Sequence, residues 1–163
     1  MTYRVCFVCT GNICRSPMAE RVFASMVADA GLSGAIVVDS AGTGGWHVGG
    51  GADPRAVRTL TEHGYDGRGH VARQLDPSWF AERDLIVALD SGHLADLRAA
   101  ARDDRDSAKV VLLRAYDPLA MADGTLDVED PYYDGESGFA DRLAQIEQAC
   151  AGLLRHIRDE LGR

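Results

Sequence analysis

The stretch "YRVCFVCTGNICRSPMAE" (residues 3–20) joins an apolar run to a segment that carries the signals of a helix start. The run "YRVCFVC", residues 3–9, has the composition of a strand that is buried on both faces. Ser16 stands directly before Pro17, so we expect a helix that has Ser16 as its N-cap. A strand that passes through a short turn into a helix begins a β-α-β unit, so this stretch predicts a parallel sheet.

Three further apolar runs follow, separated by segments of helical period: "AIVVDS" (residues 35–40), "DLIVALD" (residues 84–90) and "KVVLLR" (residues 109–114). Asp53-Pro54 and Asp76-Pro77 predict two more helix starts, and residues 137–161 have the spacing of a long amphipathic helix. We therefore predict an α/β fold: a four-stranded parallel sheet of order 2-1-3-4, flanked by helices on both faces as a flavodoxin-like three-layer sandwich, and a single domain over residues 1–163.

The composition favours a cytoplasmic globular protein, which we expect to be a monomer or a weak dimer. The chain has 163 residues, a formal net charge of −8 and no apolar run near the ~18 residues of a membrane span. This charge argues against nucleic acid and membranes as partners. Four unevenly spaced cysteines predict reduced thiols, and no paired spacing suggests a metal site, so we expect no metal and no cofactor. His47, His93 and His156 are expected to be exposed.

Two long loops, residues 40–53 and 115–137, follow the second and fourth predicted strands. Long loops in a compact domain are usually functional. Both should open on the carboxyl edge of the sheet, where open α/β proteins bind ligands. We therefore expect ligand binding at this edge.

The turn after the first strand, which we call the cysteine loop (residues 9–16), lies at the N-terminus of the predicted helix. Backbone N–H groups there have no helical partners, and the helix dipole adds about half a positive charge. This field favours the nucleophilic thiolate of a cysteine, and Arg15 adds a planar donor suited to two oxygens of a phosphate. We predict that Cys9 attacks phosphorus and that the rest of the loop binds the phosphate, through Thr10, Gly11, Asn12, Ile13, Cys14 and Ser16.

Such a reaction needs a general acid near the leaving oxygen, because a phosphate ester does not readily release a bare alkoxide or phenolate. The second long loop offers four carboxylic acids: Asp127, Glu129, Asp130 and Asp134. We predict Asp130, in "VEDPYY", because Pro131 stiffens the loop there and Tyr132 and Tyr133 can form aromatic walls.

The loop "CTGNICRS", together with the distal "DPYY", resembles the low-molecular-weight protein tyrosine phosphatases, in their bacterial form. "VDSAGT", "HGY", "HVARQ" and "YDP" also look like that family, in the same order and over essentially the whole chain. The resemblance implies a signalling enzyme that hydrolyses phosphotyrosine in proteins. It implies that Cys9 forms a cysteinyl phosphate, that Arg15 clamps the phosphate, and that Asp130 acts first as acid and then as base.

The same resemblance implies a supporting set of residues behind the loop. Ser16 would donate a hydrogen bond to the Cys9 sulfur. Asn12 would hold a strained backbone conformation, which Ser40 and His70 would anchor.

The resemblance also implies a substrate slot. Trp46, Tyr132 and Tyr133 would line a deep pocket whose depth favours phosphotyrosine over the shorter phosphoserine. The loop "GTGGWHVGGGADP" is unusually rich in glycine for this family, which leaves the position of Trp46 open. Cys14 would form a reversible disulfide that shields Cys9 from oxidation.

Three other functions remain open. A protein arginine phosphatase resembles this chain closely, but that family carries threonine where Ile13 stands, and an apolar residue favours phosphotyrosine. A thioredoxin-coupled arsenate reductase needs two further cysteines, and "VALDSGH" after the third strand has none. A silent phosphotyrosine-binding module would lack Cys9 or Asp130, and both are present.

Overall fold

The computed structural model describes residues 2–162, except for the side chain of Glu136. Within these residues β1 (Tyr3–Cys9), β2 (Ile36–Gly42), β3 (Leu85–Ala88) and β4 (Val110–Leu112) form one parallel sheet of order β2-β1-β3-β4. The helices are α1 (Arg15–Asp29), α2 (Pro54–Glu62), α3 (Trp79–Glu82), α4 (Ser91–Ala100), α5 (Asp104–Ala108), α6 (Pro118–Asp123) and α7 (Gly135–Leu161). The predicted α/β fold and strand order are therefore confirmed.

Strand β1 lies at the centre of the sheet and contributes to a hydrophobic core on each face. Its Val5 and Phe7 pack in the core that contains residues of α1, α2 and α7. Its Cys6 and Val8 point the other way, into the core that contains residues of α3 and α4. This alternation places helices on both faces of the sheet, as predicted.

The ends of two strands depend on contacts that are distant in sequence. Strand β2 continues to Gly42 because this residue pairs with Cys9 of β1 and with Gln74. Strand β4 ends at Leu112, where the chain turns into a 3-10 segment (Leu113–Tyr116) that packs against α7. The sequence prediction placed these two ends at residues 40 and 114.

The helix starts show where an Asp-Pro signal is sufficient. At α2 the Asp53 side chain accepts the N–H of Arg55, as predicted. At Asp76-Pro77 the same signal gives a turn, and α3 begins two residues later, at Trp79. The prediction of an irregular loop over residues 115–137 is wrong, because Asp117 accepts the N–H of Leu119 and starts α6 there.

The carboxyl edge of the sheet brings distant segments together. Strand β1 ends at Cys9, and its neighbour β3 is followed by Asp90 at the start of α4. In open α/β sheets the ligand crevice lies at this edge, where the strand order reverses. None of the helices in residues 2–162 is long and apolar enough to cross a membrane.

Candidate active site

The thiol of Cys9 lies against the N-terminus of α1 and is almost fully buried. The hydroxyl of Ser16 is 2.9 Å from Cys9 Sγ, and the backbone N–H of Ser16 donates to the same sulfur at 3.4 Å. The prediction that Ser16 is the N-cap is wrong: the N-cap is Cys14, two residues earlier, and its side chain makes no capping hydrogen bond, so α1 begins at Arg15. The Ser16 hydroxyl contacts the thiol instead of capping the helix.

The side chain of Asn12 holds the hydroxyl of Ser16 in this position. Its amide Nδ2 donates to Ser16 Oγ at 2.8 Å and to Ser40 Oγ at 3.0 Å, while its Oδ1 accepts the backbone N–H of Arg73 at 2.9 Å. Ser16 Oγ accepts from Asn12, and its one proton has two acceptors within reach: the Cys9 sulfur at 2.9 Å and the carbonyl oxygen of Ala41 at 3.4 Å. Among the described non-glycine residues, Asn12 alone has a positive φ, 57°.

The backbone of Asn12 is held from outside the loop by His70. The Nε2 of His70 lies 2.7 Å from the carbonyl oxygen of Asn12 and must donate to it, because a carbonyl only accepts. Burial lowers the pKa of His70 below its ordinary value of 6.5, which favours the neutral ring with its proton on Nε2. Ser40 donates in turn to Glu20 at 2.7 Å. The structure thus places both Ser40 and His70 in hydrogen-bonding contact with Asn12.

Arg15 is buried although it is charged. Its Nη1 donates to Asp90 Oδ2 at 2.7 Å and to the carbonyl oxygen of Val128 at 2.8 Å. Its Nη2 lies 3.4 Å from His93 Nε2 and 3.9 Å from Asp130 Oδ2. Burial alone would raise the pKa of Asp90, but the backbone N–H of His93 and the Arg15 guanidinium lower it below its ordinary value of 3.8. Asp90 is therefore ionised and balances the charge of Arg15.

The expectation that His93 is exposed is wrong, since only 4% of its surface is accessible. It lies in the first turn of α4, which extends under the cysteine loop, and its Nε2 is 2.8 Å from Thr10 Oγ1. Burial and the nearby Arg15 lower its pKa, so the ring is neutral. Because arginine only donates, the contact with Arg15 favours Nε2 as acceptor and places the proton on Nδ1, 3.3 Å from Asp90 Oδ1.

The loop over residues 127–134, the acid loop, presents one of its four acids to Arg15. Asp130 is half-exposed, and its Oδ1 accepts the backbone N–H of Tyr132 at 3.0 Å. The other three are engaged elsewhere: Asp127 accepts from the N–H and hydroxyl of Ser91, while Glu129 and Asp134 pair with Arg142. The geometry therefore favours Asp130 over its neighbours.

These groups face a common cavity of about 300 Å³. Ten residues predicted for the site line it: Cys9, Thr10, Gly11, Ile13, Cys14, Arg15, Trp46, Asp130, Tyr132 and Tyr133. The four others are buried: Asn12 and Ser16 belong to the cysteine loop, and Ser40 and His70 form hydrogen bonds to Asn12. No group of three or more potential metal ligands occurs among residues 2–162.

The walls of this cavity are aromatic and largely exposed. Tyr132 and Tyr133 meet edge to face, with ring centroids 4.9 Å apart, and Tyr133 is 91% exposed. Trp46 also lines the cavity and packs against Gly44, where any Cβ would overlap the indole ring. The glycine at this position thus permits the observed placement of Trp46.

Cys14 lines the cavity as a free thiol, and so does Cys9. Burial, followed by the negative charge of Asp53, raises the pKa of Cys14 well above its ordinary value. Cys14 is therefore protonated at neutral pH. The disulfide between Cys9 and Cys14 stays a prediction.

Three residues at the site were not identified from the sequence: Asp90, His93 and His47. His47 is exposed, as expected, but it also lines the cavity. The sequence did contain a hint of Asp90 and His93. In the predicted strand order 2-1-3-4 the third strand is next to the first, so polar residues shortly after the third strand should lie near the end of the first. The two residues are also three positions apart, which is the spacing between an N-cap residue and the backbone N–H that its side chain accepts.

Comparisons with known proteins agree over nearly the whole chain. A model of the low molecular weight phosphotyrosine protein phosphatase family matches residues 4–163. A low molecular weight protein-tyrosine-phosphatase of Streptomyces coelicolor is 60% identical over 161 residues, which are 99% of this chain and 97% of the relative.

Two solved structures are similar in sequence as well as in fold. A protein tyrosine phosphatase of Entamoeba histolytica, with Hepes in its active site, has a TM-score of 0.90 and 32% identity, covering 99% of each chain. A Drosophila arginine phosphatase has a TM-score of 0.85 and 34% identity, covering 94% of this chain and 97% of its own.

Proposed function

Because the chain belongs to the low molecular weight phosphotyrosine protein phosphatase family, a family of enzymes, we propose that it hydrolyses phosphotyrosine in proteins through a cysteinyl phosphate. The observation that carries this proposal is the meeting of three groups at one cavity. The Cys9 thiol, the Arg15 guanidinium and the Asp130 carboxyl all line it, although Asp130 is more than a hundred residues away in sequence.

In the first step Cys9 Sγ attacks phosphorus as a thiolate, and the bond between phosphorus and the tyrosyl oxygen breaks. Asp130 gives its proton to that oxygen, so that a neutral phenol leaves. The Ser16 hydroxyl and N–H donate to the sulfur and thereby favour the thiolate form. The products are the dephosphorylated tyrosine and a phosphate bonded to Cys9.

In the second step Asp130, now a carboxylate, accepts a proton from water. The resulting hydroxide attacks phosphorus, the phosphorus–sulfur bond breaks, and inorganic phosphate leaves. The electron pair of the broken phosphorus–sulfur bond returns to Cys9 as the thiolate, and the proton from water stays on Asp130, so that the enzyme is restored. Both steps need one carboxyl close to the phosphate, and Asp130 is the acid of its loop that approaches Arg15.

Arg15 has the donors that a phosphate clamp requires. A guanidinium has five N–H groups. Both hydrogens of Nη1 serve Asp90 and Val128, and one hydrogen of Nη2 points to His93. One hydrogen on Nη2 and the one on Nε remain as two donors for the oxygens of a phosphate.

The walls of the cavity support phosphotyrosine as substrate. Tyr132, Tyr133 and Trp46 line the cavity and offer aromatic groups to a phenyl ring. Ile13 adds an apolar residue to the same cavity. The second candidate is phosphoarginine, because the similar Drosophila protein is an arginine phosphatase.

The test is phosphate release from two peptides of the same sequence, one phosphotyrosyl and one phosphoarginyl, in buffer with a metal chelator. We expect hydrolysis of the phosphotyrosyl peptide alone and loss of turnover in Cys9→Ser. Preference for the phosphoarginyl peptide would contradict phosphotyrosine as the substrate, although it would be consistent with the proposed roles of Cys9 and Arg15. Release that requires added metal, or that survives Cys9→Ser, would overturn the proposed chemistry.

A further inference from the structure

The carbonyl groups of the acid loop are bonded to arginine side chains from several parts of the chain. Four of them accept hydrogen bonds in this way: Asp127 from Arg114 at 3.0 Å, Val128 from Arg15 at 2.8 Å, Glu129 from Arg142 at 3.0 Å and Tyr132 from Arg55 at 2.6 Å. The four arginines lie on the 3-10 segment, α1, α7 and α2. The loop that carries Asp130 is thus fixed by side chains outside it.

The loop leaves the protein core directly before Asp130. Val128 is fully buried, and its N–H bonds to the carbonyl of Leu89, so this residue is anchored in the core. The next two side chains, Glu129 and Asp130, are 79% and 53% exposed. Glu129 and Arg142 also line a second cavity, of about 510 Å³. The loop is anchored by the buried Val128 and Pro131, but packing of their own side chains does not hold Glu129 and Asp130 between them.

Arg142 donates a hydrogen bond to the peptide group that joins Glu129 to Asp130. The carbonyl of Glu129 and the N–H of Asp130 belong to one planar peptide unit. A hydrogen bond to that carbonyl therefore limits rotation of the plane from which the Asp130 side chain projects. Arg142 itself is only 15% exposed, and its Nη2 lies 3.4 Å from Glu129 Oε2 and 3.6 Å from Asp134 Oδ2.

We propose that Arg142 is a positioning residue for the general acid: it holds the peptide between Glu129 and Asp130 so that the Asp130 carboxyl meets the leaving oxygen. This inference rests on the proposed function, in which Asp130 protonates that oxygen. Arg142 touches neither the phosphate cavity nor Arg15, so its effect on catalysis passes through Asp130.

The consequence is a particular kinetic pattern. Poor positioning of an acid slows proton transfer, and it does so most when the leaving group is a poor one. A phenol of pKa ~10 needs the proton far more than a nitrophenol does. Loss of Arg142 should therefore reduce kcat/KM for phenyl phosphate more than for p-nitrophenyl phosphate, with the same pattern as Asp130→Ala but to a smaller extent.

The experiment measures kcat/KM for both substrates in wild type, Arg142→Gln, Asp130→Ala and the double variant. We expect Arg142→Gln to lower the value for phenyl phosphate about tenfold, a part of the ~100-fold or greater contribution of a general acid. The loss for p-nitrophenyl phosphate should be clearly smaller. In the Asp130→Ala background the Arg142 substitution should have no further effect, because the group it positions is absent.

Two further variants separate positioning from a general effect on folding. Glu129→Gln removes a charged partner of Arg142 but keeps the carbonyl, and it should retain the wild-type ratio between the two substrates. Arg142→Lys keeps a donor on a flexible stem and should recover part of the loss. Thermal unfolding of each variant shows whether it is folded at the assay temperature.

The outcomes distinguish this inference from the proposed function. An equal loss for both substrates, or an undiminished effect of Arg142→Gln in the Asp130→Ala background, would overturn the positioning role and leave Asp130 as the acid. If Asp130→Ala lowers kcat/KM equally for both substrates, Asp130 is not the general acid, and the inference about Arg142 fails with it.

Discussion

Replacement of Asn12 should separate the backbone strain of the cysteine loop from its hydrogen bonds. The amide of Asn12 donates to Ser16 and Ser40 and accepts from Arg73, and the residue is fully buried with a φ of 57°. At about 1 kcal/mol for each hydrogen bond, Asn12→Gly should lower the free energy of unfolding by about 3 kcal/mol. Glycine still adopts the positive φ without strain, whereas Asn12→Ala should lose about 1 kcal/mol more.

Urea unfolding followed by circular dichroism measures both variants. With an m value of about 2 kcal/mol/M, the midpoint should fall by about 1.5 M for Asn12→Gly and about 2 M for Asn12→Ala. Ser40→Ala is the control: it removes the hydrogen bond from Asn12 and the one that Ser40 donates to Glu20, so it should lose about 2 kcal/mol. The reasoning is refuted if Asn12→Gly lies within about 0.5 kcal/mol of wild type, or if Asn12→Ala is the more stable of the two.

Three further predictions follow from single contacts. Arg15→Lys keeps the charge but not the planar pair of donors, so kcat/KM for a phosphotyrosyl peptide should fall about a hundredfold or more; a rate near wild type would contradict the bidentate clamp. The pKa of His93 lies below its ordinary 6.5 because burial and then Arg15 disfavour its charged form. As the pH falls through this range, His93 therefore takes up a proton more readily in the unfolded state, and the folded state loses stability. The His93→Asn variant lacks this effect, so its urea midpoint should fall less than that of wild type between about pH 7 and pH 5. An unchanged slope would argue against a neutral His93. Gly152→Ala would place a Cβ on the carbonyl oxygen of Tyr116, where α7 crosses the 3-10 segment, and should destabilise the fold by about 2 kcal/mol in thermal unfolding; an unchanged Tm would contradict this close contact.

The sheet could be predicted because its strands are short apolar runs, as expected for strands covered on both faces. Strand β1 has the predicted bounds, and its alternate residues fill both cores. Helix α6 has only six residues, too few to show a hydrophobic period, although Asp117-Pro118 has the same capping signal as Asp53-Pro54. The end of β2 depends on pairing with Cys9, which no local pattern contains.

The site could be predicted where it is contiguous in sequence. The cysteine loop has the predicted nucleophile, the backbone donors and the arginine within eight residues, so their spacing alone suggested a phosphate site. Asp90 and His93 become part of it only when α4 comes to lie beside the loop, 75 and 78 residues away from Arg15. Nothing in the sequence pointed to Arg142. It bonds to a backbone carbonyl, which every residue has, so only the fold determines which residue accepts the bond.

The contact between Arg15 and the carbonyl of Val128 joins the two halves of this site across 113 residues. The guanidinium that we propose as the phosphate clamp is therefore also bonded to the loop that carries the proposed acid. Val128 is in turn bonded to Leu89 at the end of β3, and Asp90, the next residue, pairs with Arg15. These contacts form a closed circuit from the helix to the strand end and the acid loop, so a shift of the Arg15 side chain disturbs the acid as well as the clamp. Arg15→Lys should consequently lose more activity on phenyl phosphate than on p-nitrophenyl phosphate, whereas loss of the clamp alone would slow both equally.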